Sequence, residues 1–123
     1  MTTYFISGHL DLTVDEFREH YAPRIDAALA ADAAFVVGDA RGCDVLAQMH
    51  LWDARAVRVQ VFHMFDRPRN NVGRFPTVGG FESDHARDAA MTGASDADLA
   101  WVRPGRTHSG TAANLARRYF KKK

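Results

Sequence analysis

A loop rich in hydrogen-bond donors lies between Arg103 and Asn114, in the run Arg103-Pro104-Gly105-Arg106-Thr107-His108-Ser109-Gly110-Thr111-Ala112-Ala113-Asn114. The wider stretch from Asp96 to Asn114 reads as a strand, a loop broken by Pro and Gly, and the first turn of a helix. Ser109, Gly110 and Thr111 fall where backbone N–H groups have no intrahelical acceptor, and they add two hydroxyls to the same spot. The first turn also carries positive partial charge, so an anion such as a phosphate suits it. Two upstream loops share this character. One is Ser7-Gly8-His9; the other is Gly38-Asp39-Ala40-Arg41-Gly42.

Each of these loops follows a short apolar run. Tyr4 to Gly8, Ala34 to Gly38, Val57 to Phe65 and Leu99 to Val102 read as four strands, and the alternation in Val57–Phe65 predicts a more exposed face there. Helices are expected between them. Thr13-Val14-Asp15-Glu16 is a capping box, and Phe17, Tyr21, Ile25, Ala28 and Leu29 continue it at helical spacing to about Ala31, with Pro23 marking a kink or break. Val45 to Trp52, Glu82 to Thr92 and Thr111 to Phe120 complete the set, with Asp44 expected to cap the second helix. The stretch from 66 to 80 holds two prolines, two asparagines and three glycines without periodicity, and is expected to be one long loop.

Strands alternating with helices predict an α/β fold, a small Rossmann-like three-layer sandwich with a mostly parallel sheet. At 123 residues the chain makes a single domain over 1–123. A strand order of 3-2-1-4 would put the first and last strands at the switch point, where ligands bind outside the carboxyl ends. Ser7 and Gly8 would then face Ser109-Gly110-Thr111 across a space of nucleotide size.

Composition narrows the function classes. A formal net charge of +1 gives no general attraction to polyanions, although positive charge gathers at Arg117-Arg118 and Lys121-Lys122-Lys123. That tail reads as complementing a helix C-terminus, and nucleic acid is not the expected partner. Cys43 is the only cysteine, which excludes an internal disulfide and favours a reducing, cytoplasmic setting. No stretch approaches the length of a membrane span, and no secretory leader is visible. The six histidines show neither helical His-x-x-x-His spacing nor a Cys/His knuckle, so no metal site or other cofactor is expected. His9 and His108 fall in the site loops, and Cys43 reads as a small residue at a helix start.

These residues resemble a known superfamily, the Rossmann-like proteins that group the Lonely Guy (LOG) phosphoribohydrolases with the DNA-processing protein A and nucleotide-sensing domains, often called SLOG. The resemblance runs through Ile6-Ser7-Gly8-His9, through Val37 to Ala47 with its Gly42-Cys43-Asp44, and through His85 to Met91. Pro104-Gly105 followed by Ser109-Gly110-Thr111 is similar to the family's Pro-Gly-Gly-x-Gly-Thr phosphate loop, stretched by a few residues. It implies a nucleoside monophosphate or a derivative as ligand, with phosphate on Ser109, Gly110 and Thr111 and close backbone approach at Gly8 and Gly42. It also makes Arg41 and Arg87 partners for phosphate or ribose, since a guanidinium binds such oxygens in a bidentate way.

One position departs from the family. Its hydrolases carry a catalytic glutamate three residues after Gly-Thr, where this chain has Asn114. Asparagine hydrogen-bonds a ribose but neither stabilises a cationic sugar nor activates water. The expected function is therefore a binding or sensing protein for a nucleotide-derived ligand. The alternative is a nucleoside 5′-monophosphate N-glycosidase or ribosyl-transferring enzyme whose carboxylate has moved, with Asp39 and His9 as substitutes. Dimers are frequent in the family, and Tyr119 and Phe120 are placed to pack on a second copy, so a homo-oligomer is expected.

Overall fold

The computed structural model describes residues 1–121; Lys122 and Lys123, the end of the basic tail, lie outside the described residues. Ten elements follow in order: β1 (Thr3–Ser7), α1 (Val14–His20), α2 (Ala22–Ala30), β2 (Ala34–Gly38), α3 (Cys43–Asp53), β3 (Val59–Met64), β4 (Thr77–Phe81), α4 (Asp84–Gly93), β5 (Ala97–Ala100) and α5 (Gly110–Lys121). All strand pairings are parallel, in the order β4-β3-β2-β1-β5. The order reverses at β1, which lies between β2 and β5.

This is the expected α/β sandwich with one strand added at its edge. The stretch from 66 to 80 is not a single loop, because Thr77 to Phe81 pairs with β3. That strand is mostly exposed and contains Gly79 and Gly80, so neither burial nor alternation marks it in the sequence. Conversely, β3 exposes only Gln60 among its fully classified positions and buries Val59, Val61, Phe62 and His63, since helices cover both faces of a parallel sheet.

The apolar residues divide by face. Ile6, Phe17, Tyr21, Ile25, Phe35, Val37, Ala47, Leu51, Val61 and Leu99 form the larger core beneath α1, α2 and α3. Phe5, Val36, Phe62 and Met91 form the smaller core beneath α4. Such two-sided burial requires successive strand residues to point to opposite layers, as Phe5 and Ile6 do.

Helix boundaries follow local chemistry. The Thr13 side chain accepts from Glu16 N and Glu16 accepts from Thr13 N, closing the capping box. Pro23 sits in the first turn of α2, where its missing N–H costs nothing, and the chain breaks at Tyr21. Both α2 and α3 end in Schellman turns: Ala33 N bonds Ala28 O and Asp32 N bonds Leu29 O, while Ala56 N bonds Leu51 O and Arg55 N bonds Trp52 O. The left-handed residues there are Asp32 and Arg55, with φ of 63° and 57°. No helix of the described residues is long and apolar enough to cross a membrane.

Candidate functional site

A cleft of about 420 Å³ opens at the carboxyl ends of the strands, beside the end of β1. That volume lies within the usual range for small-molecule sites. Its walls come from the loop after β1, the loop after β2, the segment before β4, the first turns of α4 and the start of α5. Nine of the twelve residues expected from the sequence line it: Ser7, Gly8, His9, Arg41, Arg87, Ser109, Gly110, Thr111 and Asn114. Gly38, Asp39 and Gly42 do not.

One wall is the start of α5. The Ser109 hydroxyl accepts from Ala112 N at 3.1 Å and the Ser109 carbonyl accepts from Ala113 N, which makes Ser109 the cap. The N–H groups of Gly110 and Thr111 have no acceptor among the described residues. Thr111 and Asn114 are buried on the inward side of the helix, and the Asn114 carbonyl oxygen accepts from Arg117 while its amide NH₂ has no acceptor there. Arg41 is exposed at the mouth and pairs with no carboxylate among the described residues. Arg106, also on the lining, reaches Asp11 at 3.5 Å.

The other arginines are already committed. Asp39 is fully buried and accepts from Arg69 N, Nε and Nη2 at 2.8, 3.2 and 2.9 Å and from Arg87 Nη1 at 2.7 Å. Burial alone would raise this carboxyl, but the hydrogen bonds from Arg69 and Arg87 hold it below its ordinary value. It is a buried counter-ion and not a free base, so it does not substitute for the missing glutamate. Arg69 Nη2 also reaches Asp84 at 2.7 Å, and Arg87 reaches Asp84 at 3.2 Å and Asp88 at 2.9 Å. Nothing in the local pattern signals Arg69, whose partner Asp39 is 30 residues away.

That network also pins the segment before β4. Asn70 Nδ2 donates to the Asp39 carbonyl, and the buried Gln48 donates to the Gly38 and Asn70 carbonyls while accepting from Val72 N. The segment is a fixed wall of the cleft.

At Gly8, Gly38 and Gly42 the side that a Cβ would take is filled by protein. A Cβ on Gly8 would lie 2.5 Å from both Cys43 Sγ and the Tyr21 hydroxyl oxygen, and one on Gly38 would lie 2.5 Å from Asp44 Oδ2. Gly42 adopts a φ of 74° with the carbonyls of His9 and Leu10 crowded against it. These three positions let α3 and its loop close onto the end of β1. Gly110 has nothing within 4 Å of its would-be Cβ.

His9 is likewise engaged. Its Nε2 accepts from Arg103 N at 2.8 Å, which places the proton of the neutral ring on Nδ1, and its carbonyl accepts from Cys43 N and Leu12 N. Burial, with the charges of Arg106 and Arg103, keeps it below its ordinary pKa. Arg103 itself grips Glu16 at 2.7 and 2.8 Å, and that hydrogen bonding is the main reason the Glu16 carboxyl falls to about 2. His108 is exposed and lies off the cleft lining. Cys43 is buried, and burial first, then the charge of Asp44, pushes its thiol up, so it is no ready nucleophile.

Asp44 departs from its expected role. Gly42 takes the cap position of α3, and Asp44, one residue into the helix, turns back so that its Oδ2 accepts from Ala40 N at 3.1 Å. It lines the cleft. Burial drives its carboxyl up to about 7 against the pull of Arg87. Asp88 lines the cleft as well; its Oδ1 takes both Nε and Nη2 of Arg87, at 3.1 and 2.9 Å. Among the described residues no donor reaches Asp44 Oδ1 or Asp88 Oδ2.

No group of three His, Cys, Asp or Glu side chains among the described residues is placed to hold a metal ion. No family model, curated protein or solved structure matches this chain.

Proposed function

We propose that this protein binds a nucleotide or another phosphate-bearing small molecule in the cleft, as a sensor or binding protein of the kind the LOG and SLOG resemblance implies. The observation that carries the reading is the pair of N–H groups on Gly110 and Thr111, which have no acceptor among the described residues and border the cleft. Arg41 supplies a cation at the mouth that no carboxylate among the described residues claims.

Gly110→Pro tests this cleanly. Proline is favoured at the first helical position and removes one N–H without disturbing α5. Titration of ribonucleoside 5′-monophosphates into wild type should yield a binding heat, and G110P should weaken affinity about tenfold, the order of one hydrogen bond to a charged group. No binding to the wild type, or unchanged binding to G110P, would overturn the reading.

A second reading, the N-glycosidase, is favoured by Asp44. A carboxyl lifted to about 7 carries a proton near neutral pH and is suited to protonate a departing base. Release of free base from nucleoside monophosphates, lost in D44N, would establish it. Self-association belongs to the same proposal: α5 turns Thr111, Asn114 and Arg118 inward and leaves Leu115, Tyr119 and Phe120 outward, a face suited to a second copy. Sedimentation of wild type against F120K decides that point.

A further inference from the structure

Ser7 is the least explained polar residue in the cleft. It is 5% exposed, its Oγ is buried, and that oxygen has no hydrogen-bond partner among the described residues. Strand alternation returns Ser7 to the layer of Phe5, which packs with Met91 of α4, and both of those side chains line the cleft. A buried hydroxyl without a partner costs free energy, and native proteins seldom leave one so.

The unused carboxyl oxygens of the cleft complement it. Asp88 uses Oδ1 for Arg87 and leaves Oδ2; Asp44 uses Oδ2 for Ala40 and leaves Oδ1. Both carboxyls and Ser7 border the same space. Asp88 Oδ2 repels phosphate and attracts a hydroxyl donor, while Asp44 Oδ1 donates to a hydroxyl when protonated and accepts from one when ionised, so neither duplicates the start of α5. A sugar hydroxyl fits the set, because it donates to a carboxylate while accepting from Ser7 Oγ.

We propose that Ser7, Asp88 and Asp44 form a subsite for the vicinal hydroxyls of a ribose, selecting ribose phosphates over their 2-deoxy counterparts. The inference rests on the phosphate reading above and adds to it the part of the ligand that the carboxylates recognise. It gives the orphaned serine its partner and the two half-used carboxylates theirs. Arg87 acts here as a positioning residue, since its guanidinium fixes the Asp88 carboxylate and touches no ligand itself.

The experiment is a calorimetric comparison of ribose 5-phosphate, 2-deoxyribose 5-phosphate and inorganic phosphate on wild type, S7A and D88N. Wild type should prefer ribose 5-phosphate about tenfold, the effect of one hydrogen bond to a charged group, and the preference should collapse in both variants. Because Ser7 Oγ bonds nothing among the described residues, S7A should melt at or above the wild-type temperature while losing selectivity, which a purely structural serine would not do. Equal affinity of the two sugars for wild type, or a preference that survives both substitutions, overturns this inference and leaves phosphate binding standing. Failure of all three probes to bind removes both.

Discussion

Gly8 and Gly110 border one cleft, and a side chain at the two positions would meet opposite surroundings. A methyl group on Gly8 would run into Cys43 and the Tyr21 hydroxyl, whereas one on Gly110 meets open space. Gly8→Ala should therefore destabilise the fold by about 1–3 kcal/mol in urea unfolding, the usual cost of overpacking. Asp44 offers a test in pH. Its carboxyl sits at about 7 when folded against an ordinary 3.8, so from about pH 4 to pH 7 the native state holds a proton that the unfolded chain has released. Stability contributed by this group falls as pH rises through that window. Asp44→Asn keeps an acceptor for Ala40 N, and its stability relative to wild type should improve steadily across the same range, read by thermal melts at fixed salt. At this scale most of the residues marked in the sequence line the cleft, but about half of the lining went unmarked and several roles were misjudged. Asp39, Asp44 and Gly42 differ from expectation because their partners (Arg69, Ala40, the His9–Leu10 turn) are set by long-range packing or a backbone reversal that residue type does not announce.

All the elements but β4 were legible, with ends within about two residues of those observed. Apolar runs located β1, β2, β3 and β5 because a buried parallel strand must be apolar on both sides, and the Thr13 capping box located α1. Strand β4 escaped because an edge strand built on Thr77-Val78-Gly79-Gly80-Phe81 buries too little to leave a pattern. The ends of α2 and α3, at Ala30 and Asp53, fall within a residue of the expected Ala31 and Trp52, although each finishes in a turn that glycine usually supplies and here Asp32 and Arg55 stand in it. Asp32 recovers something through its 2.7 Å pair with Arg58, whereas Arg55 is exposed and has no ion pair among the described residues. Arg55→Gly should accordingly raise stability by about 0.5–1 kcal/mol, seen as a higher melting temperature, because glycine meets no steric penalty at positive φ.

Over the whole molecule, the order β4-β3-β2-β1-β5 gathers the starts of α3, α4 and α5 at one end of the sheet, around the point where the order reverses. That much follows from alternating strands and helices and from right-handed crossovers, and it was readable before any coordinates. The charge balance of the cleft was not. Asp39, Asp84 and Asp88 settle Arg69 and Arg87 internally, and the cleft-lining Arg69 and Asn70 are held by Asp39 and Gln48. A doorway already set in its frame imposes no waiting step on a guest. Stopped-flow capture of a ribose phosphate should give observed rates that climb in a straight line with guest concentration and reach no plateau.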